Sequence, residues 1–88
     1  SRYTATTKNN LQMAFGFDRP LQEYFFQVFD KDDELIVDKN SSGMSMVEGF
    51  TNPNTNSVMH SFIKDNMCEK DWARYSNLVD NIILDLPF

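Results

Sequence analysis

The chain has 88 residues with a net charge of −5 and a sequence pI near 4.5; this length fits one domain with a modest core, and only 8 Lys and Arg argue against a duplex phosphate backbone or an acidic surface as partner. Hydrophobic residues at 41% and aromatic residues at 14% exclude a disordered chain. Cys68 is alone, which excludes an intramolecular disulfide and a cysteine-rich metal site within one chain, and no apolar run approaches a membrane span. A reducing, cytoplasmic setting is the simplest expectation. No signal peptide is visible, and a start at Ser1 reads as a processed end or a tag scar. The sequon Asn40-Ser41-Ser42 matters only in a secreted eukaryotic protein.

In chain order, Arg2 to Thr7 alternates Tyr3, Ala5 and Thr7 with Arg2, Thr4 and Thr6, a half-exposed strand. Lys8-Asn9-Asn10 supplies a turn, because Asn tolerates left-handed backbone. Leu11, Met13, Phe15 and Phe17 then alternate with Gln12, Ala14 and Gly16, which predicts a second strand and a first hairpin. Gly16 to Pro20 reads as a rigid corner: Gly16 tolerates φ > 0, Pro20 fixes its own φ and biases Arg19 away from helix. Asp18 has no N–H to cap at Pro20, so it reaches the Leu21 N–H, pairs with Arg19 or faces water.

From Leu21 to Phe29 both faces of a third strand carry large apolar groups, the mark of a strand covered on both sides. The acidic turn Asp30 to Glu34 leads to a short fourth strand, Leu35-Ile36-Val37, and so to a second hairpin. Lys39 to Gly43 breaks the pattern. Met44 to Phe50 reads as a loop with an optional edge strand, and Thr51 to Thr55 as a turn-rich linker with Asn54 or Thr55 as helix N-cap.

The period then changes. Val58, Met59, Phe62 and Ile63 share a stripe, which predicts a short helix from Asn56 to about Asn66. Trp72, Tyr75, Val79, Ile82, Ile83 and Leu86 repeat at helical spacing, which predicts a longer second helix stopped by Pro87, with Glu69 and Asp71 favourable in its first turn. The fold expected is α+β: about four antiparallel strands in two hairpins, with two carboxy-terminal helices packed on one face. One domain spans 1–88, sheet-rich over 1–50 and helical over 54–86. Apolar groups left on the far face of the third strand predict a homodimer.

Patterns that would carry chemistry are thin. Asp30, Asp32 and Glu34 occupy the first, third and fifth places of a calcium loop, but Leu35 stands where glycine is needed and Ser41 where a bidentate Glu is needed. A solvated turn is the better reading, and no metal or cofactor is expected. His60 is the only histidine, so no multi-histidine site can form in one chain. Gly43-Met44-Ser45-Met46-Val47 lacks the second glycine of a nucleophile elbow. No catalytic residue is assigned, and the chain is read as not an enzyme.

Phe17 and Arg19 form the pair of most interest. With Phe17 on the Leu11-Met13-Phe15 face it is core; swung outward by the corner, it stands beside a guanidinium in a surface suited to partner recognition. The candidate partner-binding residues are therefore Phe17, Asp18, Arg19 and Pro20. The alternative site is a small-ligand or enzyme pocket between sheet and helices, lined by Tyr24, His60 and Tyr75. A third reading, an acidic mimic of nucleic acid, draws on the net charge and on Asp30 to Asp38.

The run Gly16-Phe17-Asp18-Arg19-Pro20-Leu21-Gln22, with Phe25-Phe26 and an acidic turn after it, resembles a group of small bacterial proteins sharing G-[WF]-D-R-P-L-Q…F-F, for which no activity is assigned. In that group Trp usually follows the glycine, so Phe17 is a departure and implies a tolerant aromatic slot. The resemblance covers the amino-terminal half. It implies a bacterial, cytoplasmic protein, and a non-enzymatic interaction or regulatory module with an unidentified protein partner is the leading expectation.

Overall fold

The computed structural model describes residues 1–41 and 55–88. Four strands, β1 (Tyr3–Thr6), β2 (Gln12–Asp18), β3 (Glu23–Phe29) and β4 (Leu35–Asn40), form one antiparallel sheet in the order β1-β2-β3-β4. Helices α1 (Thr55–Asn66) and α2 (Glu69–Asp80) follow. The expected α+β architecture is present, with the two hairpins joined by a third into a meander. The loop or edge strand expected at Met44 to Phe50, and Asn54 as a cap, lie outside the described residues.

Register explains the core. Tyr3 pairs with Phe15, Ala5 with Met13, Phe15 with Phe26, Phe17 with Tyr24, and Val28 with both Met13 and Val37. All of these side chains project to one face, and Met59, Ile63, Met67, Val79 and Ile82 from the helical part close over them. Period-two alternation in the strands and the 3.6-residue stripe in the helices therefore meet in one apolar layer. Each hairpin turn carries a left-handed non-glycine residue, Asn10, Gln22 and Asp33 at φ 66°, 53° and 62°.

Two expectations at the corner are corrected. Gly16 lies inside β2, opposite Phe25, and makes no turn. A Cβ there would meet the Ser1 carbonyl, whose carbon is 2.9 Å away, and the Phe25 ring at 3.1 Å, so glycine is required by close packing across the outer face. The turn itself is Arg19 to Gln22, and β3 begins at Glu23, two residues after the predicted start. At the other end β4 runs on to Asn40, beyond the predicted Val37, with a register shift opposite Val28 and Phe29.

The helical part is tied to the free edge of β1. Lys8 N–H donates to the Asn66 carbonyl at 2.8 Å, Cys68 N–H to the Thr6 carbonyl at 2.9 Å, and Thr7 bridges to Met67. Thr6 N–H donates to Asp71 Oδ2 at 2.7 Å, and the Tyr75 hydroxyl donates to the Thr4 carbonyl at 3.2 Å. These bonds satisfy edge groups that would otherwise template pairing with another chain.

The second helix ends earlier than its periodicity predicts. Regular α-helix stops at Asp80, and residues 81–85 wind on shorter bonds: Ile82 to Val79, Ile83 to Asp80, Leu84 to Asn81 and Asp85 to Ile82. Leu86 N–H then reaches back to the Asn81 carbonyl at 3.0 Å while Asp85 sits at φ 56°. This is a Schellman closure with Asp in the place glycine favours. It turns the chain so that the Phe88 ring stacks among Tyr3, Phe15 and Tyr24 at 5.8, 6.4 and 5.6 Å. Aromatic burial against the sheet overrides the helical stripe.

Candidate functional site

The turn between β2 and β3 is the part of the proposed partner surface that reaches solvent. Asp18 Oδ1 accepts from Leu21 N–H at 3.2 Å, the first of the three options open to that carboxylate. Gln22 N–H and its side-chain amide both donate to the Arg19 carbonyl, at 3.2 and 2.7 Å. Three internal bonds and the fixed φ of Pro20 make the turn stiff. Arg19 and Pro20 are exposed at its tip. Leu21, read from the sequence as the first residue of a strand, is instead 63% exposed beside them.

Phe17 is not part of that surface. It is 5% exposed on the core face and packs edge-on against Tyr24, ring centroids 5.0 Å apart. The strand parity that places Met13 and Phe15 inward continues to Phe17 because the turn begins only after Asp18. Displayed together are a guanidinium and an aliphatic side chain, Arg19 and Leu21, in place of the aromatic and guanidinium pair.

The three residues proposed to line a pocket have three separate surroundings. His60 Nε2 lies 2.7 Å from Asp80 Oδ1 and its ring meets Trp72 edge-on at 5.9 Å, so it fastens α1 to α2. The Tyr75 hydroxyl is engaged by Thr4. Tyr24, 2% exposed, has the one buried side-chain polar atom among the described residues with no hydrogen-bond partner. Burial pushes its phenol up to about 12, and the Asp85 carboxylate adds to the effect. None of the three lines the concavities at the β1 edge, on α1, between α1 and α2 or on the outer sheet face of the described residues.

Two polar concavities among the described residues are open to solvent. A polar trough of about 420 Å³ follows the β1 edge, lined by Thr4, Thr6, Asn10, Gln12, Asp71 and Arg74 among others. A second, of about 300 Å³, lies on the outer sheet face and includes Asp18, Glu23, Phe25 and Asp38. Arg2 crosses this outer face: its guanidinium stands 5.8 Å from the Phe25 ring centroid and 6.0 Å from that of Phe29, and it donates to Gln27 Oε1 at 3.1 Å. The two half-buried phenylalanines expected to be bare thus carry a cationic cover from their own chain.

Asp30 is a structural turn former. Its Oδ1 accepts from the N–H groups of Asp32 and Glu34 at 2.8 and 2.9 Å, which occupies the carboxylate within the hairpin turn. Among the described residues no group of three or more His, Cys, Asp and Glu is placed to hold a metal ion, and no helix is long and apolar enough to cross a membrane. Comparison with protein-family models, with curated proteins and with solved structures finds no match.

Sequence reasoning missed Leu21 and the carboxy-terminal segment as surface features. Leu21 is an apolar residue isolated between Pro20 and the polar pair Gln22-Glu23, and that isolation was the available signal. Ile83 and Leu86 follow the helical stripe so closely that nothing local marks them as exposed.

Proposed function

We propose that this protein is a small, non-enzymatic interaction module of bacterial origin that presents the turn Arg19-Pro20-Leu21 to another protein. The observation that carries the reading is Leu21, 63% exposed at the tip of a turn held by its own hydrogen bonds. A stiff turn loses little conformational entropy on binding, so one aliphatic anchor beside a guanidinium gives more net affinity there than on a mobile loop. Arg19 adds five donors in a planar fork suited to a carboxylate on the partner. The same end of the sheet also carries the segment around Asp85 to Phe88, through the contact of Phe88 with Tyr24, so the turn does not stand alone.

The test is quantitative capture from bacterial lysate with wild type, Leu21→Ser and Arg19→Ala, after thermal melts have shown all three equally folded. The reading expects one defined partner retained by wild type and weakened at least tenfold, about 1.4 kcal/mol, by either substitution. Equal retention by all three removes the turn as the binding surface.

A further inference from the structure

The carboxy-terminal segment has two incompatible instructions in it. Its sequence continues the stripe of α2 through Ile82, Ile83 and Leu86, yet the chain leaves regular helix at Asp80, tightens over residues 81–85, and turns back at Asp85 to seat Phe88 against Tyr3, Phe15 and Tyr24. Tight winding is common at a helix C-terminus, and here it ends in a left-handed residue that is not glycine. Asp85 at φ 56° holds the left-handed backbone that side-chain-bearing residues adopt at a cost. Along this segment Ile83, Leu84 and Leu86 stand 47%, 68% and 47% exposed. Disagreement between local preference and tertiary structure collects at functional or strained sites.

We propose that residues 86–88 are an exchangeable strap hinged at Asp85, and that the partner for the vacated aromatic slot is a second copy of this chain. When Asp85 leaves the left-handed region, residues 81–85 relax into regular helix and α2 is continued through them. Pro87 disfavours helix at Leu86, so the strap leaves the helix end extended. Phe88 then lies away from its own sheet and within reach of another. The occupant is identified by what already fits: the slot formed by Tyr3, Phe15 and Tyr24 holds the Phe88 ring, and the Ser1 hydroxyl donates to the Phe88 carbonyl. A reciprocal exchange keeps every one of these contacts, releases the left-handed residue in both copies, and lets Ile83, Leu84 and Leu86 bury against the second copy. The inference goes beyond the reading of the Arg19 to Leu21 turn and stands without it.

Asp85 supplies opposed tests, because its side chain is exposed and substitution there leaves the core intact. Asp85→Gly makes the left-handed turn easier and favours the closed chain; Asp85→Ala makes it harder and favours exchange. Light scattering over roughly 10 μM to 1 mM is expected to show a dimer whose dissociation constant rises about tenfold or more in Asp85→Gly and falls by a similar factor in Asp85→Ala. Circular dichroism is expected to show more helix per chain in the dimer than in the monomer, and Phe88→Ala to remain monomeric throughout. A monomer at the highest concentration for both wild type and Asp85→Ala overturns the proposal. So does a dimer indifferent to both Asp85 substitutions, or one that persists in Phe88→Ala, since it would form elsewhere on the molecule.

Discussion

The two ends of the helical part are held in different ways. At the joint between α1 and α2, Asn66 to Cys68 is pinned to β1 by backbone bonds from Lys8 and Cys68, by the Thr7 and Met67 bridge, and by Asp71 on the Thr6 N–H. At the far end, the backbone N–H groups of residues 81–86 donate to their own preceding turn, and side chains, the buried Ile82 and the Phe88 ring, reach the sheet. Where backbone polar groups of two elements satisfy each other, the chain has one low-energy path, because breaking it strands donors and acceptors. Where side chains make the attachment, the periodicity of the sequence and the observed path can part company. Tethering by main chain, more than burial alone, separates the fixed end from the convertible one.

Breaking the fixed end should cost most. Met67, 1% exposed at the joint, is expected to cost about 2–5 kcal/mol as Met67→Ala, seen as a lowered denaturant midpoint with an unchanged slope. A loss under about 1 kcal/mol would mean that the joint contributes little beyond local helix.

Tyr24, which lies under the convertible end, gives the next effect. Its phenol is pushed from 10.0 to about 12 by burial and then by Asp85, so the folded state holds its proton more tightly than the unfolded chain does. Stability is therefore complete below pH 10 and falls as pH rises through the window from 10 to 12, by on the order of 1–3 kcal/mol. Tyr24→Phe should flatten that fall and, by removing a buried hydroxyl with no partner, leave stability at neutral pH equal or about 1 kcal/mol higher. Urea melts across this pH range for both proteins measure it; a slope unchanged by Tyr24→Phe would assign the loss to other groups.

Asp71→Ala removes the acceptor for the Thr6 N–H and is expected to cost about 1–2 kcal/mol, with faster amide exchange at Thr6 as its specific sign. At the convertible end Leu84→Ser, at an exposed position, should stay within about 0.5 kcal/mol of wild type in dilute solution. A cost near that of Met67→Ala would erase the contrast between the two ends.

Most of the fold was legible because its strands obey strict alternation. Met13, Phe15 and Phe17 against Ala14 and Gly16 assigned the inner face, and the stripes at Met59, Ile63 and Val79 assigned the helical contacts. The corner was misplaced because glycine was taken as a maker of turns, whereas Gly16 answers to the Ser1 carbonyl and the Phe25 ring lying over it. That requirement arises only once β1 is laid beside β2, so no local pattern carries it. The outward alternative for Phe17 failed for the same reason, and Leu21 took its place at the surface. His60, Tyr75 and Tyr24 were grouped by residue type, but their partners Asp80, Thr4 and Asp85 are set by the packing of helices on the sheet. The end of α2 was misread because 3.6-residue periodicity cannot register the pull of Phe88, an aromatic ring eight residues beyond.

The bridge between Thr7 and Met67 has a kinetic consequence. Every strand pair in the meander joins neighbours in sequence, so the sheet closes only short loops, each at small entropic cost. With the bonds around it, the bridge fastens the beginning of the chain to its final third, and closing so long a loop early is unfavourable. The transition state for folding is thus expected to contain β2 and β3 with the joint still open. Met67→Ala should accelerate unfolding and leave the refolding rate almost unchanged, whereas truncating Phe26, buried in β3, should slow refolding.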